Sequence, residues 1–218
     1  MHHHQGRGAI CAGEQGTTHG MFCGNTRGEG MSATDTITST GAGTRTVWTI
    51  DPSHSDASFT VRHMFTKVRG RFTELSGTIE TDDGNFTNGQ VNVEIKADSV
   101  DTNEAQRDGH LRTNDFFGTG ENPLITFRST GVTPKDDDEF LLHGDLTIRG
   151  VTRPVTLEAE FEGVGKTPFG TEAASWTAET KLDRKDFDLT WNAPLEAGGF
   201  LVGDEVKITI DIEAVKQA

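Results

Sequence analysis

From residue 46 onward, apolar and polar side chains alternate with a period of 2, the repeat that places neighbouring residues on opposite faces of a β-strand. In VNVEIKA, residues 91–97, Val91, Val93, Ile95 and Ala97 fall on one face and Asn92, Glu94 and Lys96 on the other. VTLEAEF, residues 155–161, repeats the arrangement. VKITIDIEA, residues 206–214, opposes Val206, Ile208, Ile210 and Ile212 to Lys207, Thr209, Asp211 and Glu213. Eight such strands are predicted, at about 46–64, 70–81, 90–97, 123–131, 139–149, 152–163, 174–184 and 204–216. Gly, Asp and Pro in DDGN (82–85), GVTP (131–134) and RGVTRP (149–154) supply reversals between them, so neighbours are expected to run antiparallel.

Two places break the alternation. Phe72 lies on the opposite parity from Leu75 and Ile79, which predicts a bulge or strong coil there. Pro52 cannot donate to a ladder and kinks the first strand. Only DTNEAQRDGHLR, residues 101–112, reads as a helix, with Asp101 or Thr102 as its cap and Gly109 limiting it to about two turns. Phe116 and Phe117 follow it, and the segment is expected to form a flap over one barrel mouth. Eight strands with one dry face each and little helix to cover it must bury that face against one another. The expected fold is all-β, an eight-stranded antiparallel barrel with one short helix, and a two-sheet sandwich is the competing architecture.

Composition narrows the partners. Residues 1–45 are Gly-rich, polar and aperiodic, and are expected to be a disordered leader and linker ahead of a barrel domain at 46–216, with Met31 an alternative start. Cys11 and Cys23 both lie in that leader, so the barrel has no thiol chemistry, and with His19 they lack the paired spacing of a zinc site. The chain holds 34 acidic and 20 basic residues, a net charge of −14, which argues against nucleic acid as a partner. No signal-like apolar core follows Met1 or Met31 and no run has the length of a membrane span, so a soluble cytoplasmic protein is expected.

Several motifs carry less chemistry than they suggest. GVGKTPFG (163–170) has Glu at position 160 where a phosphate loop needs Gly, and reads as a hairpin turn. DDDE (136–139) lacks the spaced oxygens of a calcium loop. Ser53, His54 and Asp56 sit close in sequence, but DPSHSD reads equally well as a polar turn. No metal or cofactor motif remains, and no catalytic residue is assigned.

WTIDPSHSDASFTVRHMFTKVRGRFTELSGTIE, DTNEAQRDGHLRTNDFFGTGENPLITFRST, GDLTIRGVTRPVTLEAEF and DRKDFDLTWN closely resemble, in order, the successive signatures of the YceI-like, polyisoprenoid-binding family over about 46–215. The resemblance implies a lipocalin-like barrel that holds a long isoprenoid or another amphiphilic chain without a catalytic reaction. Matching positions include Asp51, His54, Ser55, Phe59, His63 and Gly70, and further on Arg107, Asp108, His110, Phe116 and Phe117. The chain departs from the pattern at Asp188, where Gly is usual after Asp-Phe, and at Asn122, where an aromatic is common, and it has no Tyr.

The most informative position is His63, an imidazole at the next inward position after Phe59 and Val61. It is either a satisfied core histidine or a polar point that hydrogen-bonds a ligand's pyrophosphate, hydroxyl or quinone oxygen; a metal site is the least favoured reading. By parity the expected lining is Phe59, Val61, Val93, Ile95, Ile125 and Phe127, then Leu146, Ile148, Leu157, Phe161 and Trp176, with Phe187 and Trp191 near a rim. Head-group candidates are His54, His63, Asp108, His110 and Arg112. The expected partner is an isoprenoid quinone, prenyl pyrophosphate, fatty amide or similar lipid. An enzyme acting on a hydrophobic substrate and a ligand-free structural or stress protein are the alternatives, and a homodimer is left open. Alternation does not tell a hollow barrel from a filled one.

Overall fold

Strand pairing runs in a closed circuit. The computed structural model describes residues 45–82, 85–196 and 198–217, so the expected leader, with both cysteines and Met31, lies outside the described residues apart from Arg45. The strands are β1 (Arg45–Ile50), β2 (Asp56–His63), β3 (Thr66–Phe72), β4 (Leu75–Asp82), β5 (Asn85–Lys96) and β6 (Val100–Asp101). After helix α1 (Ala105–Arg112) come β7 (Leu124–Pro134), β8 (Glu139–Ile148), β9 (Val151–Lys166), β10 (Glu172–Asp183) and β11 (Val202–Lys216). The ring order is β1-β4-β5-β7-β8-β9-β10-β11, and β11 returns to β1 through Trp48 opposite Lys216 and Ile50 opposite Ala214. Eight antiparallel staves close on themselves, which excludes the sandwich.

Two staves are broken as the sequence predicts. The first is β1 and β2: β11 pairs with β1 near its end and with β2 earlier, from Val206 opposite Val61 to Asp211 opposite Asp56. Between them, at Asp51–Ser55, Pro52 has no N–H to give. The Ser55 hydroxyl fills in for the ladder, donating to Glu213 O at 3.2 Å and accepting from Glu213 N–H at 3.0 Å. The second broken stave is β3 and β4, interrupted at Thr73 and Glu74, where the parity of Phe72 and Leu75 changes. It starts four residues earlier than the expected 70, because Lys67 to Gly70 pair with β2.

Helix α1 starts later than expected and is capped by Glu104 rather than by Asp101 or Thr102. The Glu104 carboxylate accepts from Gln106 N–H at 3.1 Å and Arg107 N–H at 2.6 Å. Asp101 is occupied with Asn103 N–H at 2.9 Å, and the Thr102 hydroxyl is engaged by Asp108 and Arg107. No helix among the described residues is long and apolar enough to cross a membrane.

One end of the barrel is packed shut. Trp48, Ile50, Ile79, Trp176 and Ala214 form a buried cluster, with the Trp48 and Trp176 rings edge to face at 6.4 Å. At the other end Phe72, Val100, Ile125, Ile148, Phe187 and Leu189 anchor the flap and the loop after β10. Between the two the inward residues of β11 are only half-buried: Val206, Ile208, Ile210 and Ile212 face inward yet retain accessible surface, while Ala214 retains none. The interior is therefore hollow rather than filled.

Candidate functional site

The space inside is a cavity of about 640 Å³, within the range of roughly 300–1,000 Å³ typical of small-molecule sites. Its walls are apolar because the inward position of each stave is apolar. Phe59, Val61, Val93, Ile95, Ile125 and Phe127 line it, as do Leu146, Ile148, Leu157, Trp176, Phe187 and Trp191. Phe161 does not. It packs on the Trp176 ring at 5.7 Å within the cluster that shuts the far end.

The ionisable groups of the lining gather at the end that carries α1. His63 lines the cavity at the end of β2, where it pairs with Val202, and its imidazole has no hydrogen-bond partner among the described residues. Glu104, Gln106, Arg107 and His110, from α1 and its cap, line the same cavity. His110 is held in place: Nε2 lies 2.9 Å from Asp115 Oδ2, and its ring meets Trp191 edge to face at 4.7 Å and Phe116 at 5.1 Å. Phe116 and Trp191 touch in turn at 5.3 Å, so three rings form one side of the mouth.

The other head-group candidates are engaged elsewhere. His54 lies outside the cavity at the β1–β2 kink, with Nδ1 2.8 Å from Asp51 Oδ2. The Ser53 hydroxyl, His54 and the Ser53 N–H hold the Asp51 carboxyl down at about 2, and Asp51, then Glu213, raise the His54 imidazole above its ordinary value. Asp51, His54 and Glu213 bring three potential metal-ligand atoms within 4.8 Å, but these contacts serve the kink. Asp108 is buried and accepts from Thr102 N–H at 2.9 Å, closing the turn before α1. Arg112 donates from Nε to Asp98 O at 2.7 Å and from Nη2 to Val100 O at 2.8 Å, tying α1 to the 3-10 turn Ala97–Ser99 and β6. These three position the flap and the kink and do not line the cavity.

Two groups escaped the sequence reading. Arg184, 5% exposed, lines the cavity and donates to Leu189 O, to Trp191 O at 2.9 Å and to Gly203 O at 3.0 Å, so it clamps the loop that carries Trp191. Burial lowers its pKa, and Asp204, with Nη2 3.6 Å from its carboxylate, opposes that shift. An Arg within the charged run Asp183–Asp186 gives no sequence signal for such a clamp. The inward β11 residues also line the cavity, and here the signal was present in their strict alternation.

Comparison with known proteins agrees with this geometry. A "Protein YceI" of Escherichia coli O157:H7 is 42% identical over 165 residues, 75% of this chain and 83% of that protein. A UPF0312 protein of Vibrio parahaemolyticus is 40% identical over 138 residues, 63% of this chain and 73% of that one. Among solved structures, a Campylobacter jejuni YceI protein superposes with a TM-score of 0.63 at 29% identity over 72% of this chain and 90% of that one. A polyisoprenoid binding domain from Saccharophagus degradans shares the fold, with a TM-score of 0.61 at 17% identity over 78% of this chain and 98% of that one. The YceI-like domain model matches residues 48–214, and the chain belongs to that family.

Proposed function

We propose that the protein is a non-catalytic carrier or sequestering protein that takes a polyisoprenoid, such as an isoprenoid quinone, or a similar long amphiphile into its barrel. The observation that carries this reading is a hollow, apolar cavity of about 640 Å³ whose ionisable lining residues, His63, Glu104, Arg107, His110 and Arg184, come from the end of β2, from α1 and its cap, and from the turn after β10. Its shape of chemistry matches an amphiphile: an oily chain against Val93, Ile95, Leu157 and Ile210, and a polar head near His63, Arg107 and His110. The polyisoprenoid-binding name of the S. degradans neighbour supports the same class of ligand.

Magnitudes favour the chain over the head as the source of affinity. About twenty buried carbons at about 0.8 kcal/mol each give roughly 16 kcal/mol gross. Ordering a flexible chain and losing its free motion offset much of that, which leaves room for micromolar to nanomolar binding without an ion pair. His63 then sets which end of the ligand faces out.

The test uses protein stripped with organic solvent and offered an isoprenoid quinone. One quinone per chain by native mass spectrometry is expected, with quenching of fluorescence from Trp176 and Trp191 in the cavity wall. A protein that takes up no quinone, or that converts it in a reaction abolished by His63→Ala while binding persists, would overturn the reading.

A further inference from the structure

The β2–β3 hairpin presents three different chemistries. Its inner face, through Phe59, Val61, His63 and Val68, is cavity wall. Its tip is Met64 and Phe65, 39% and 92% exposed. The Met64 N–H donates to Leu201 O at 2.8 Å, which sets the tip beside Phe200, itself 62% exposed. Its outer face carries Arg62, Lys67 and Arg69, all exposed, with Arg62 directly opposite Lys67 in the ladder.

The charge at this corner runs against that of the whole chain. Arg62, Lys67 and Arg69 have no carboxylate partner among the described residues. The nearby acids are already taken, Asp204 by Lys185 at 2.8 Å and Glu205 by Lys181 at 3.2 Å. In a chain of net charge −14, three uncompensated cations therefore stand beside exposed aromatic side chains at the mouth of the cavity. The acidic remainder of the molecule does not cancel them at contact, because at physiological ionic strength charges beyond about 8 Å are largely screened.

We propose that this corner docks the barrel mouth on an anionic lipid surface, with Phe65 and Phe200 entering the interface and Arg62, Lys67 and Arg69 lying against lipid phosphates. The proposal rests on the carrier reading and adds where the ligand is exchanged. Along Thr66–Gly70 the outer edge of β3 has no strand partner among the described residues, since β6 pairs only with Arg71 and Phe72. The mouth beside the tip thus borders an unpaired strand edge, and a docked barrel lets an apolar chain pass from bilayer to cavity without crossing bulk water.

Co-sedimentation with vesicles tests this, using phosphatidylcholine alone and phosphatidylcholine mixed with phosphatidylglycerol. The protein is expected to sediment with the anionic vesicles and to be released by salt. Lys67→Gln and Arg69→Gln should weaken binding roughly fivefold per cation, and the double variant F65S/F200S should lose at least about tenfold, with thermal melting confirming that each variant is folded. Wild-type protein that ignores anionic vesicles, variants that bind as wild type, or a tip buried in a dimer that F65S/F200S splits would overturn the proposal. Quinone uptake measured without vesicles separates it from the carrier reading. Uptake without docking removes the surface, docking without uptake removes the carrier, and tip variants that still take up quinone while losing vesicles support both.

Discussion

The Phe59 ring lies across Gly70 on the neighbouring strand so closely that a Cβ at position 70 would stand 2.8 Å from both Phe59 Cε1 and Thr102 Cγ2. Glycine at 70 is therefore a spacer that lets an aromatic wall residue lie flat, and Gly144 does the same under Phe127. Gly70→Ala should destabilise the protein by about 1–3 kcal/mol through overpacking. Phe59→Leu in the same chain should recover part of that loss, the remainder coming from Thr102. Denaturant unfolding of the two single variants and the double variant measures the coupling.

The kink at Asp51–Ser55 predicts a pH window. Asp51 has a folded pKa of about 2 against 3.8, so its stabilising contribution is present above 3.8 and is lost as pH falls toward 2. His54 is raised above 6.5, so its contribution is present below 6.5 and is lost as pH rises through the raised value. The kink is firmest between about 4 and 6.5. His54→Gln should narrow the stability difference between pH 6 and pH 8, and should reduce the loss below pH 4 without abolishing it, because the Ser53 hydroxyl and N–H still hold the Asp51 carboxyl down. Urea midpoints across that range check both signs.

How much of this was legible in the sequence follows from what alternation encodes. Parity marks the inward face of each stave, so the sequence alone assigns Phe59, Val61, Val93 and Leu157 to the wall. Parity does not mark height along the barrel axis, and Phe161, on the inward face of β9, sits in the cluster that closes the far end. Nor does it report what a polar group touches. Asp108, Arg112 and His54 are each engaged in local turn or backbone contacts, whose partners depend on loop geometry that sequence spacing leaves free. Hollowness was illegible for the same reason: whether facing rows of side chains meet depends on barrel diameter.

Asp188 marks a strained position. It follows the 3-10 turn Arg184–Phe187 with φ of 58°, left-handed backbone that favours Gly. Its carbonyl accepts from Arg149 Nη1 at 2.9 Å, a contact that any residue can make. Asp188→Gly removes the Cβ strain and keeps that bond, and should stabilise by about 1 kcal/mol. The thermal midpoint should rise by about 2–4 °C.

A hollow barrel and a filled one respond oppositely to a larger side chain inside. Ile210 lines the cavity and is flanked across both ladders by small residues, Ala178 on β10 and Ala57 on β2. In a filled core Ile210→Trp would cost about 1–3 kcal/mol. Here the indole enters open space and covers apolar wall, so stability should hold within about 1 kcal/mol. Quinone uptake should fall sharply, because the same volume is no longer available to a chain. A stable Ile210→Trp protein that no longer takes up quinone would support binding within the lumen, whereas one that takes up quinone unimpaired would move the ligand out of it.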